Sequence, residues 1–220
     1  QNSGRSPTSA ANELVWIPSN GGPATLIMPM ENRSDPHFTE DTDRIFLRKA
    51  PDELVSVRWD GSDETTHVKV RGEQAAGSTN AETPSALRMA PRGDQAMALI
   101  LNQVYTLTVP MVGGEAPTIN VGNPANASFP ARKLTKFGGE FPAWSADGRK
   151  VHWSLGNAHF IYDLDAAEAH EDSTAAADRA AADAEDQEEA EATAAGEEDD
   201  DDDDEASDDD GYQPTEFRVT

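Results

Sequence analysis

The chain contains no cysteine, which excludes a disulfide framework and any cysteine-ligated metal. It has no run of about 18 apolar residues, the length a helix needs to cross a bilayer. Its first stretch, Gln1 to Asn12, is polar and lacks the apolar centre of an export signal. No Gly-x-Ser-x-Gly elbow, phosphate-binding glycine loop, dinucleotide fingerprint or EF-hand spacing occurs. Histidine is sparse: His37, His67, His152, His159 and His170 are the whole set, and no two form a His-x-His pair. Positive charge is scarce too, with 17 Lys and Arg against 42 Asp and Glu, and a net charge of −25 repels nucleic acid.

The acidic excess is concentrated at one end. Residues 165–220 hold 24 of the acidic side chains and only two basic ones, Arg179 and Arg218, a net of −22 that leaves −3 on residues 1–164. The charge therefore describes a tail and not the surface of the whole fold. Ala166 to Ala195 is built mainly from Ala, Glu and Asp, and it is followed by six aspartates, Asp199 to Asp204, and by Asp208 to Asp210. Like charges at helical neighbour spacing, such as Glu168 with Asp172, repel. Low hydrophobicity with high charge predicts disorder over 165–211, with transient helix where alanine dominates. A solvated linker is the plain reading of that segment. Weak binding of divalent cations or of a basic protein is the functional one, since an all-oxygen run suits calcium but offers no fixed geometry.

Residues 13–164 are what remains to fold. They break into short apolar runs separated by turn residues: Asn20–Gly21–Gly22, Asp60–Gly61, Arg92–Gly93–Asp94, Gly113–Gly114 and Asp147–Gly148. Asp-Gly and Asn-Gly pairs supply the positive φ angles of tight hairpins. In Leu54 to Trp59, Val55, Val57 and Trp59 alternate with Leu54, Ser56 and Arg58, the period of two expected of a pleated strand. Strands are predicted at Leu14–Ile17, Thr25–Met28, Arg44–Leu47, Leu54–Trp59, Thr65–Val70, Ala96–Leu101, Val104–Val109, Val151–Leu155 and Ala158–Leu164. The predicted class is all-β.

Three segments share one pattern: a large apolar residue, a turn, then a second short strand. They are Phe141 to Trp153, Leu87 to Ala98 and Pro36 to Phe46, and their matched residues Phe38, Met89 and Trp144 lie 51 and 55 residues apart. Such a period suits repeated four-stranded units of roughly 40–50 residues. The stretch Pro142–Ala143–Trp144–Ser145–Ala146–Asp147–Gly148–Arg149–Lys150–Val151 resembles the blade motif of TolB-like β-propellers, P-x-W-S-P-D-G-K, with Ala146 in place of the second proline. Met89–Ala90–Pro91–Arg92–Gly93–Asp94 keeps a proline but inverts the turn, and Phe38 to Asp43 is looser. The stretches Asp43–Leu47, Leu54–Gly61 and Phe141–Leu164 are similar to propeller regions ahead of the catalytic barrel in bacterial exported amidohydrolase-family proteins.

That resemblance implies an incomplete β-propeller of about three four-stranded blades, with Glu216 to Thr220 as a strand leading toward a missing downstream domain. It implies an accessory, non-catalytic part of a larger hydrolase in the periplasm or outside the cell, or else a propeller that binds proteins in the envelope. Fewer blades than the usual four to eight imply a fragment or a chain completed by another. The expected partner is accordingly the rest of a larger chain or a second protein. No catalytic, cofactor-binding or metal-ligating residue is expected. His152 and His159, with Asp163 nearby, fall on adjacent predicted strands and read mainly as strand residues, with a metal or acid–base site as the sharper alternative. Trp16, Trp59, Trp144 and Trp153 read as packing residues, with a sugar-stacking surface as the alternative. Asn126–Ala127–Ser128 fits a glycosylation acceptor pattern.

Overall fold

The computed structural model describes residues 12–110, 113–195 and 211–218, with the backbone alone for 183–195. Residues 1–11, most of the predicted N-terminal segment, and the aspartate runs at 199–204 and 208–210 lie outside the described residues.

Four sheets follow one another along the chain. β1 (Glu13–Trp16) and β2 (Thr25–Pro29) form a hairpin, the first sheet. β3 (Arg33–His37), β4 (Arg44–Lys49), β5 (Glu53–Arg58) and β6 (Thr65–Arg71) form an antiparallel meander, the second sheet. β7 (Ala86–Met89), β8 (Gln95–Ile100) and β9 (Gln103–Thr108) begin the third. The chain then returns to the second sheet, where β10 (Thr118–Asn120) pairs parallel with β6. It comes back as β11 (Ala131–Lys133), which pairs antiparallel with β9. β12 (Glu140–Trp144), β13 (Lys150–Leu155) and β14 (Ala158–Asp163) make the fourth sheet. After the helix α1 (Leu164–Ala195), β15 (Thr215–Arg218) completes that sheet beside β14.

The sheets bury their faces against each other in three apolar layers. Ile27 and Met30 of the hairpin region meet Ile45, Leu47, Val55 and Val57 of the second sheet. The opposite face of those same strands, with Phe46, Leu54, Val68 and Val70, meets Leu87, Met89, Ala96 and Leu107 of the third. Met97 and Val104, on the far side of the third sheet, meet Val151, Trp153 and Tyr162 of the fourth. Successive strand residues point to opposite faces, so β4, β5, β8 and β9 are apolar on both because each lies between two layers. Gly61 permits one close approach: a Cβ there would lie 2.5 Å from the Ile27 carbonyl oxygen, and its φ of +76° already favours glycine.

α1 occupies the alanine-rich first part of the acidic segment, where the sequence allows transient helix. Its start is fixed by Asp163, whose Oδ1 accepts hydrogen bonds from the backbone N–H of Asp165 and of Ala166, each at 3.2 Å. Leu164 and the fully buried Ala167 pack onto the third apolar layer. Arg149 pairs with Asp165 at 2.8 Å and Arg132 with Glu171 at 2.5 Å. Acidic residues near a helix N-terminus also meet the favourable end of its dipole. Among the described residues no helix is long and apolar enough to cross a membrane.

The propeller expectation is overturned. The sheets have two, five, four and four strands, and all are open; none curls or closes on itself. The three matched residues of the supposed repeat also differ in role. Phe38 is exposed and stacks on Trp59 beside its own sheet, Met89 is buried in the second layer, and Trp144 is half-buried against the third. A large residue, a tight turn and a returning strand describe any antiparallel hairpin with one buried face. Their recurrence therefore does not specify closure into a ring.

Candidate functional site

β3, β7 and β12 are the edge strands of three successive sheets, and a continuous polar line joins them. Arg88 on β7 donates to Asp35 Oδ1 on β3 at 3.0 Å and to the Pro142 carbonyl on β12 at 3.4 Å. The Trp144 indole N–H returns to the Arg88 carbonyl at 3.2 Å. His37 Nε2 accepts from the Met89 backbone N–H at 2.9 Å, which leaves Nδ1 to carry the proton and donate to the Asp35 carbonyl at 2.7 Å. Burial lowers the His37 pKa, so the ring holds this neutral tautomer.

Both outer members of this line are kinked. β3 has a bulge between Ser34 and His37 with Asp35 at φ +54°, and β12 has one between Glu140 and Ala143 with Phe141 at φ +53°. A bulky residue in the left-handed region carries strain of about 1–3 kcal/mol, and such strain gathers at functional positions. Phe141 gains no burial in return, since 82% of it is exposed.

The segment before β12 adds to this. Leu101 and Asn102, at φ +48° and +61°, make the two-residue turn between β8 and β9. The Gly139 N–H donates to the Asn102 carbonyl at 2.7 Å, laying residues 137–139 across that turn. Gly139 must be glycine, because a Cβ there would sit 2.5 Å from Trp153 Cδ1. Phe137, just ahead, is left 80% exposed, and Leu101 is 64% exposed. Leu155, exposed at the end of β13, lines the same cleft as Phe137. Glu140 pairs with Ser154, which sets the Phe141 bulge beside that end of β13. Phe137 and Leu155 thus share one cleft, with the exposed Leu101 next to the turn residue that Gly139 bonds and the exposed Phe141 two residues beyond Gly139.

The cleft under Phe137 has a volume of about 920 Å³ and is walled by Phe160, Tyr162 and Tyr212, with Lys133 and Lys136 on its border. Neither lysine makes an ion pair among the described residues.

The residues weighed from sequence stand elsewhere. His152 Nδ1 and His159 Nε2 are 3.3 Å apart on the outer face of the fourth sheet. Asp163 does not join them: it pairs with Lys150 at 2.7 Å and caps α1. Among the described residues no group of three or more potential ligands forms a metal site. The four tryptophans form no common platform. Trp16 is exposed on the hairpin, Trp59 stacks on Phe38, Trp153 is buried at 2% exposure against Phe160, and Trp144 bonds to Arg88. Asn126 is exposed at the end of a short 3-10 turn, Pro124–Asn126.

A serine–histidine contact that the sequence did not suggest lies in the second sheet. Ser56 Oγ accepts from Arg44 Nε at 2.7 Å and shares a hydrogen bond with His67 Nε2 at 2.7 Å. Ser56 is fully buried and its lone pair is engaged by the guanidinium, so the pair is sealed and not an exposed nucleophile. The rim itself had a sequence signal: Phe137 and Phe141 closely flank the glycine pair Gly138–Gly139.

No protein-family model matches the chain, and no curated protein matches it. The TolB-like and amidohydrolase resemblance therefore has neither a matching family nor a closed fold beneath it. The accessory-hydrolase and envelope-propeller functions that it implied fall with it, and the periplasmic or secreted location rested on it alone.

Proposed function

We propose that this chain is a protein-docking module whose rim of Leu101, Phe137, Phe141 and Leu155 receives an apolar segment of a protein partner. The exposure of Phe141 on strained backbone carries the reading. Contiguous exposed apolar residues mark interaction surfaces, and full burial of one phenylalanine is worth about 1.5–3 kcal/mol. Arg88 supports the rim from behind by tying the carbonyl beside Phe141 to Asp35. The partner segment that fits carries apolar side chains for the rim and a carboxylate for Lys133 and Lys136.

Panning a displayed random-peptide library against the full chain tests this. Enriched peptides should share an apolar centre with an acidic flank and bind a Phe137→Ser/Phe141→Ser variant at least tenfold more weakly. Both side chains are exposed, so the variant keeps its melting transition. Failure to enrich any sequence, or equal binding to the variant, refutes the proposal.

A further inference from the structure

The histidines of this fold stand in unlike surroundings. His37 has both ring nitrogens in hydrogen bonds, with the Met89 N–H and the Asp35 carbonyl. His67 gives Nε2 to the buried Ser56. His170 is exposed on α1 near Tyr212, with no second histidine beside it. His152 and His159 are partly exposed and meet each other. Their ring centroids are 5.4 Å apart, and Nδ1 of His152 faces Nε2 of His159 at 3.3 Å.

The sheet holds this pair in place. β13 and β14 pair without a break on either side of the two-residue turn at Gly156 and Asn157. Ser154 lies opposite His159 and Ile161 opposite His152, so the two imidazoles are diagonal neighbours across the strands. On the reverse face Val151, Trp153, Phe160 and Tyr162 anchor both strands in the third apolar layer.

We infer that His152 and His159 form a two-histidine site for a zinc ion. Two imidazole nitrogens on one tetrahedral zinc, each at about 2.0–2.1 Å, lie about 3.3–3.4 Å apart. The two facing nitrogens already have that spacing. Metal binding needs neutral imidazole, and burial, helped by the neighbouring His159, lowers the His152 pKa. Two imidazolium ions repel across so short a gap, so the pair takes one cation between its rings, a proton or a metal ion. When zinc enters, the proton shared by the rings moves to the other nitrogen of the ring that carried it. Both facing lone pairs then turn to the ion, and water fills the two remaining positions. Nearby charge favours a cation. Lys150 is neutralised by Asp163 at 2.7 Å, while Glu140, opposite Ser154, makes no ion pair among the described residues. Two protein ligands in place of four give a dissociation constant of about 1–100 µM.

Isothermal titration of the full chain with zinc chloride at pH 7.5 tests this. About 5 mM magnesium in the buffer occupies the acidic run, which offers only oxygen ligands. One zinc site per chain should appear. His152→Gln and His159→Gln should each weaken it at least tenfold, and His170→Gln should leave it unchanged. Both site residues lie on the outer face, so these variants keep the melting transition. In the wild-type chain, long-range proton–nitrogen spectra should show zinc moving the ring signals of His152 and His159 while those of His37 and His67 stay. At pH 5.5 protons compete and the affinity should fall. No binding up to about 1 mM zinc, unmoved His152 and His159 ring signals, or binding that survives both substitutions and so belongs to the acidic run, overturns the inference.

Discussion

Replacing Gly139 with alanine tests whether the rim is held by contact with the core. The added Cβ would lie 2.5 Å from Trp153 Cδ1, 2.8 Å from Cγ and 3.2 Å from Cβ. These are near atoms of the ring and its root, not the free end of a flexible chain. Trp153 has little room to yield, being buried and stacked on Phe160 with centroids 5.7 Å apart. Overpacking of this kind costs about 1–3 kcal/mol, and for a chain of this size each kcal/mol lowers Tm by about 2–4 °C. Gly93→Ala is the control. It adds only the penalty of φ +80°, about 1–2 kcal/mol, with nothing within 4 Å of the new methyl. The distinguishing readout is tryptophan emission. Gly139→Ala displaces Trp153 and shifts its spectrum, while Gly93→Ala leaves it unmoved. Thermal melts and emission spectra of the two variants decide. If Gly139→Ala melts within about 1 °C of wild type with an unchanged spectrum, residues 137–139 are not seated on Trp153, and the account of the rim fails.

Three further outcomes are expected. Burial lowers the pKa of His37 and of His67, so both rings are neutral in the fold while the unfolded chain titrates near the ordinary value of about 6.5. Their contribution is complete above that value and is lost as pH falls through it toward the lower folded-state values. Urea midpoints at pH 7.5 and 5.5 should show the loss, and His37→Gln should reduce it. Asp163→Ala removes the α1 cap and the Lys150 pair, and costs about 1 kcal/mol with reduced helical ellipticity near 222 nm; an unchanged spectrum contradicts the capping role. Arg88→Met breaks the tie between Asp35 and Pro142. Because the pair is partly exposed, the cost in stability is below about 1 kcal/mol, but affinity for peptides selected on the rim should drop several-fold; unchanged affinity argues that Phe141 needs no support from behind.

The strands were legible because alternation and turn chemistry are local. Leu54 to Arg58 alternates in sequence, and Asp60–Gly61 turns the chain where expected. What local pattern does not carry is the identity of the covering layer. Val55 and Leu54 point in opposite directions, and both are buried because separate sheets lie on either side. The repeat from Phe38 through Met89 to Trp144 misled for the same reason: spacing records how often a hairpin returns, not what it packs against. β10 was hidden because Thr118 to Asn120 is too short to show a period. The segment of α1 was read as disordered, with transient helix where alanine dominates, from its low hydrophobicity and high charge. Its stabilising partners, Arg132, Arg149 and the third apolar layer, are distant in sequence. At the rim only the glycine pair between Phe137 and Phe141 was visible in the sequence, since the exposure and positive φ of Phe141 follow from packing that no local pattern encodes.

The excursion of β10 has a consequence for how the molecule comes apart. The chain leaves the third sheet after β9, adds a parallel strand to the second, and returns to the third as β11. The two middle sheets cannot be drawn apart without breaking either the β10–β6 or the β11–β9 hydrogen bonds. They are one cooperative unit, while the two-stranded hairpin at the start has no such tie and is free to open first. Amide exchange should therefore reveal a slow, indivisible centre and a fast end.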